Sequence, residues 1–127
     1  MQPKIAIIED ELAIARMYEF KLQKDGYEVR CAYNGEEGLQ LAEEFHPDLI
    51  LLDLRMPVMS GDEMLAKLRA ADWGSSIRVV ILTNISKDEA PASLRLLRVD
   101  RYIVKAHYTP AQVVKIVDEI LLQNTDK

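Results

Sequence analysis

One cysteine, Cys31, in 127 residues leaves no material for a disulfide framework or a four-cysteine zinc site. Glycine and proline are scarce at five each. With 49% hydrophobic and 29% charged residues, the chain reads as globular, neither disordered nor fibrous. No apolar run approaches the ~18–20 residues of a membrane span, and the apolar stretch within residues 1–10 is too short for a signal peptide. An excess of basic charge is also missing: the net charge of -5 argues against nucleic-acid binding by bulk electrostatics. His46 and His107 lack metal-ligand spacing, and no basic constellation stands beside Cys31 to activate it. The expectation is one soluble, cytoplasmic domain over residues 1–122, with the polar residues 123–127 as a tail or the start of a linker.

Short apolar runs at residues 5–8, 27–32, 49–52, 78–82 and 102–104 read as five strands. The first, third and fourth are apolar almost throughout, as expected of strands covered on both faces. Amphipathic segments separate them. Ile14, Met17, Tyr18 and Leu22 share one helical face, and Val113, Ile116, Val117, Ile120 and Leu121 form a complete apolar stripe. Thr109-Pro110-Ala111-Gln112 spells a helix start, and Ser60 with Glu63 makes a capping box. Ser86 with Glu89 looks like another, but that register puts Pro91 where a backbone donor is needed. A short fourth helix starting late, at Asp88, is therefore expected. The strict (βα)5 alternation predicts an α/β fold: a doubly wound, five-stranded parallel sheet with helices on both faces. Ligands of such sheets bind beyond the carboxyl ends of the strands, at a topological switch point.

Polar residues stand at those ends. The first strand runs into Glu9-Asp10-Glu11, the third stops at Asp53, the fourth at Thr83-Asn84 and the fifth at Lys105. Any one alone is ordinary loop chemistry, but four converging on one crevice are not. Glu9, Asp10 and Asp53 would repel one another unless a cation or raised pKa values relieve them, and all-oxygen carboxylates suit Mg²⁺. Lys105 would add a point positive charge and Thr83 a hydroxyl donor, the parts needed around a phosphoryl group in transit.

The segment Asp53-Leu54-Arg55-Met56-Pro57-Val58-Met59-Ser60-Gly61-Asp62-Glu63 closely resembles the phosphoacceptor loop of bacterial response regulator receiver domains. Glu9-Asp10-Glu11, Gly26-Tyr27-Glu28-Val29, Asn34-Gly35-Glu36-Glu37 and Tyr102-Ile103-Val104-Lys105 carry the same resemblance, which covers residues 4 to about 122. It implies a flavodoxin-like strand order of 2-1-3-4-5 and a role in phosphorelay signalling. By position, Asp53 would accept a phosphoryl group from a sensor histidine kinase or phosphotransfer protein. Asp10, Asp53 and the backbone carbonyl of Arg55 would bind Mg²⁺ directly, and Glu9 through water. Thr83 and Lys105 would hold the phosphoryl oxygens. Tyr102 would turn inward as Thr83 is drawn to the phosphate, remodelling the face made by the fourth helix, fifth strand and fifth helix. Arg55, Asn84 and Ile85 would tune access of water to the acyl phosphate. The resemblance implies a signalling domain that catalyses only its own phosphorylation and dephosphorylation, with no direct contact to nucleic acid or membrane.

Arg95, Leu96, Arg98, Arg101 and Tyr108 would place positive charge and apolar area on that face. They are a candidate surface for an output domain or a second copy, with a solvated face as the plain alternative. The chain departs from the family pattern at Ala106, where relatives usually have a cis-proline. A cis bond without proline costs ~2.5–4 kcal/mol, so trans is expected. Asn84 replaces a small residue, and Arg98 stands where relatives often have a helix-ending glycine. Two enzyme-like or carrier readings fail on single residues. Aspartyl-phosphate phosphohydrolases want a second Asp at the position of Arg55, and a flavin carrier needs a phosphate-binding loop where Glu9-Asp10-Glu11 would repel one. A phosphorylation-independent interaction module, motivated by Ala106 and Asn84, is the remaining alternative.

Overall fold

Strand β1 (Lys4–Ile8) lies between β2 (Glu28–Ala32) and β3 (Leu49–Leu52), and β4 (Arg78–Thr83) and β5 (Arg101–Val104) continue the sheet beyond β3. All pairings are parallel, and the order 2-1-3-4-5 agrees with the expected topology. The computed structural model of the chain describes residues 2–125, the side chains of 123–125 excepted. Four α-helices connect and flank the strands: α1 (Leu12–Lys24), α2 (Gly35–Phe45), α3 (Gly61–Ala70) and α4 (Pro110–Thr125). Because α4 reaches Thr125, the backbone of residues 123–125, read from sequence as a tail, continues the helix; residues 126 and 127 lie outside the described residues.

Alternation along β1 explains its unbroken apolar sequence. Ile5 and Ile7 face α1 and α4, packing with Tyr18, Leu22, Val113 and Val117, while Ala6 and Ile8 face α2 and α3, packing with Phe45, Met64, Leu65 and Leu68. The helix starts follow their sequence signals. Asn34 accepts the Glu37 N–H at 2.8 Å, Ser60 caps the Glu63 N–H, and Thr109 and Gln112 bond reciprocally. Strand limits shift by one residue: β2 opens after Tyr27, β4 takes in Thr83, and β5 takes in Arg101. The Tyr27 hydroxyl instead donates to the Asp118 carboxylate at 2.5 Å, tying the β2 edge to α4.

The fourth crossover corrects the expectation of a late-starting helix at Asp88. It holds two 3-10 turns, Lys87–Glu89 and Ala92–Leu96, and no α-helix. Pro91 is the reason: it lacks an N–H and pushes Ala90 to extended backbone (φ -68, ψ 150), so the first turn cannot propagate. Ser86 Oγ reaches the Glu89 carboxylate at 3.1 Å but caps no backbone donor. Arg98, past the second turn, takes the left-handed conformation (φ 51) that a terminating glycine would favour.

A γ-turn follows β3, with the Met59 N–H donating to the Pro57 carbonyl at 2.7 Å and Val58 at φ 69 between them. Val58 is β-branched and 74% exposed, so little packing offsets its backbone strain. Val58→Gly is expected to raise the unfolding free energy by about 1 kcal/mol, since glycine takes positive φ without a Cβ clash. A urea titration checks this; a lowered midpoint would mean that Val58 makes a stabilising contact outweighing its strain.

Candidate functional site

The sheet register brings the ends of β1 and β3 side by side, with Ile8 opposite Leu52, so the next residues, Glu9 and Asp53, emerge together. The Asp53 N–H donates to the Ile8 carbonyl at 3.0 Å, extending the ladder one step past the strand. Glu9 and Asp53 are 3% and 7% exposed, whereas Asp10 faces solvent. Carboxylate oxygens of Glu9, Asp10 and Asp53 lie within 4.8 Å of one another. One cation meets them. Lys105 Nζ donates to Glu9 at 2.5 Å and to Asp53 at 3.4 Å. The second Glu9 oxygen accepts the Glu11 N–H at 3.0 Å, and the second Asp53 oxygen accepts the Leu54 N–H at 2.7 Å.

Burial pushes the Glu9 carboxyl above its ordinary value, and the bond from Lys105 only partly offsets this. On Lys105 burial pulls the other way, but the Glu9 bond and the Asp53 charge outweigh it and the pKa rises. The ammonium therefore stays charged at neutral pH. Three hard oxygen donors converging beside one ammonium form a set that fits Mg²⁺.

Thr83 closes β4 and is 1% exposed; its hydroxyl accepts the Ile85 N–H at 3.4 Å. The Ile85 carbonyl in turn accepts the Tyr102 hydroxyl at 2.7 Å. Hydrogen bonds thus run from the buried threonine through the β4 loop to the half-buried tyrosine on β5. Lys105 opens a 3-10 turn, and no peptide bond among the described residues is cis, so Lys105–Ala106 is trans as expected.

Close backbone contacts hold the β3 loop. A Cβ on Gly61 would lie 2.1 Å from the Asp53 carbonyl oxygen, and one on Gly35 2.3 Å from that of Met59. Only glycine admits both approaches. Arg55 and Asn84 are exposed at the rim and Ile85 is half-buried. All five residues read as an output face, Arg95, Leu96, Arg98, Arg101 and Tyr108, are exposed, Leu96 to 85%. Arg98 donates its Nη2 to the Ser75 carbonyl at 2.5 Å, toward the opposite sheet edge. Sequence reasoning missed two features. A cleft of about 790 Å³ beside β5, with Pro91, Leu94, Arg95, Arg101 and Tyr102 in its walls, opens where an α-helix was expected. Arg69 donates to the carbonyls of Leu97, Ile77 and Arg98, each at 2.7 Å, yet its place in a last helical turn gave no such signal.

The response regulator receiver domain family matches residues 5–118, so the chain belongs to that family of two-component signalling domains. Its members are signalling domains rather than enzymes in the usual sense, and phosphorylation and Mg²⁺ are typical of them. Solved structures agree. A CheY-like receiver domain protein from Methanospirillum hungatei is 26% identical with a TM-score of 0.89, the match covering 99% of this chain and 98% of that one. Chemotaxis response regulator CheY4 of Vibrio cholerae is 27% identical with a TM-score of 0.85, over 94% and 99%. A LuxR-family DNA-binding response regulator from Staphylococcus aureus is 25% identical with a TM-score of 0.82, over 93% and 98%.

Because Glu9 holds its proton more tightly folded than unfolded, its neutral form favours the fold and that contribution is lost as pH rises through the raised folded value. Glu9→Gln, which stays neutral, is expected to gain stability relative to wild type as pH rises from about 4.5 toward neutrality. Paired urea titrations in metal-free buffer across that range check the sign; a constant difference would refute it.

Proposed function

We propose that this chain accepts a phosphoryl group on Asp53 from a histidine kinase or phosphotransfer protein, with Mg²⁺ bound, and that this switches its β4–β5 face. The observation that carries the reading is a buried Asp53 within 4.8 Å of the Glu9 and Asp10 carboxylates and 3.4 Å from Lys105. In the transfer, a bond from phosphorus to the donor's histidine nitrogen breaks as a bond to an Asp53 oxygen forms. The Leu54 N–H fixes the Asp53 rotamer beforehand, which lowers the entropic cost of attack. Asp10, Asp53 and the Arg55 carbonyl would hold Mg²⁺ directly, with Glu9 as an outer partner. Mg²⁺ would supply charge neutralisation between the carboxylates and the incoming phosphoryl oxygens.

Lys105 and Thr83 stabilise the transferred group, the ammonium by charge and the hydroxyl by donation. Thr83 then pulls on the Ile85 loop, whose carbonyl holds Tyr102, and the change reaches the exposed Arg95, Leu96, Arg101 and Tyr108. The partner on that face would be an output domain or a second copy, with the protein in the cytoplasm.

Mixing wild type and Asp53→Asn with a small phosphodonor and Mg²⁺, then weighing the intact proteins, tests this. Wild type alone is expected to gain one phosphoryl mass, and chelation is expected to abolish the gain. Equal uptake by both proteins would overturn Asp53 as the acceptor, and none by wild type favours the phosphorylation-independent interaction module. Arg55 is long and cationic and Ile85 apolar, so neither orients an attacking water, and a long-lived acyl phosphate is expected. After donor removal, Arg55→Asn and Ile85→Glu should lose phosphate several-fold faster; slower loss in both would show that Asn84 or another group governs hydrolysis.

A further inference from the structure

β5 is an edge strand, hydrogen-bonded only to β4. Backbone donors and acceptors alternate sides along a strand, so part of the row on Arg101–Val104 points outward. Among the described residues nothing bonds to that outer row. The other edge is guarded by charge, with Glu28 and Arg30 of β2 paired at 3.9 Å. On β5 only Arg101 is charged, and Tyr102-Ile103-Val104 are uncharged strand formers. The cleft of about 790 Å³ flanks this edge, with half-buried Pro91, Leu94, Val99 and Tyr102 in its walls.

Charge decides what fits there. Lys87, Arg95 and Arg101 line the cleft from exposed positions, and none forms an ion pair or a side-chain hydrogen bond. Of the acids beside them, Asp100 is taken by the Arg78 guanidinium at 3.2 Å and the Val79 N–H at 3.1 Å, which leaves Asp88. This basic rim belongs to a chain of net charge -5. A second copy fits poorly, because a two-fold contact sets one basic rim against another. A helix fits poorly too, since it satisfies its own backbone and leaves the outer row of β5 unpaired. We propose that an acidic, extended segment of a partner protein adds to the sheet as a strand beside β5. Its backbone pairs with the outer row, its carboxylates meet Lys87, Arg95 and Arg101, and its alternate apolar side chains enter the cleft. The inference rests on the reading of the β4–β5 face as the partner surface, and gives that partner its chemistry. Main-chain bonds supply affinity, while the cations select by charge.

Titrate the ¹⁵N-labelled full chain, without phosphodonor and at constant ionic strength, with three synthetic peptides. One alternates valine and glutamate, one alternates valine and lysine, and one is an alanine-rich helix with as many glutamates as the first. The valine–glutamate peptide is expected to give saturable amide shifts at residues 87–95 and 99–104 and to slow exchange of the outward β5 amides. The other two are expected to bind at least tenfold more weakly. Arg95→Glu combined with Arg101→Glu is expected to melt with wild type and to turn the preference toward the lysine peptide. Equal affinity for both charges, tighter binding of the helical peptide, or self-association through the β5 amides would overturn the proposal. Phosphate uptake on Asp53, weighed separately, keeps the two readings apart. Uptake without peptide binding refutes the docking alone, and peptide binding without uptake supports the docking while refuting the switch.

Discussion

Among the described residues, Lys105 is the only cation bonded to a crevice where the sheet register forces Glu9 and Asp53 together with Asp10 close by. Neither buried acid can move away, because each follows a strand hydrogen-bonded on both sides in the middle of the sheet. The ammonium comes from the end of β5, an edge strand, so the charge balance spans the sheet from β1 to its margin. Removing one partner of a buried pair costs about 3–5 kcal/mol, because the other charge is left uncompensated. Fold and site are therefore coupled: the strand that supplies the cation must be seated for the two buried acids to keep their bonded partner.

That same margin is where the molecule is least regular. Thr83, Ile85 and Tyr102 are linked by hydrogen bonds through a loop rather than through packed helix. Pro91 stops the first 3-10 turn, and Arg98 closes the second in a left-handed conformation. Arg69 anchors the far end of this connection by donating to the Leu97 and Arg98 carbonyls. Residues 84–96 are thus held by loop and turn hydrogen bonds, while the entry to β5 is anchored by a side chain from α3.

Much of this was legible in the sequence because its physics is local. Continuous apolar runs announced two-sided burial of β1, β3 and β4, and Asn34 and Thr109 stand where the chain needs caps. The carboxylate cluster, too, could be read from strand ends alone. The fourth crossover could not be placed, because Ser86 and Glu89 promise a cap while Pro91 forbids its continuation, and single residues do not say which prevails. Arg69 and the Tyr27–Asp118 bond were invisible for another reason: their partners are backbone carbonyls or a carboxylate 91 residues away, set only by the tertiary arrangement.

The absence of an α-helix between β4 and β5 also bears on how the molecule opens. Neither 3-10 turn contains a buried residue, and each is closed by only a few backbone hydrogen bonds. Breaking them uncovers only the partly buried Ala90, Leu94 and Leu97, so local opening of this segment is expected to cost less than global unfolding. Its amides are expected to exchange with solvent before those of the five strands. A partner that holds these turns closed would spend part of its binding free energy on suppressing that local opening.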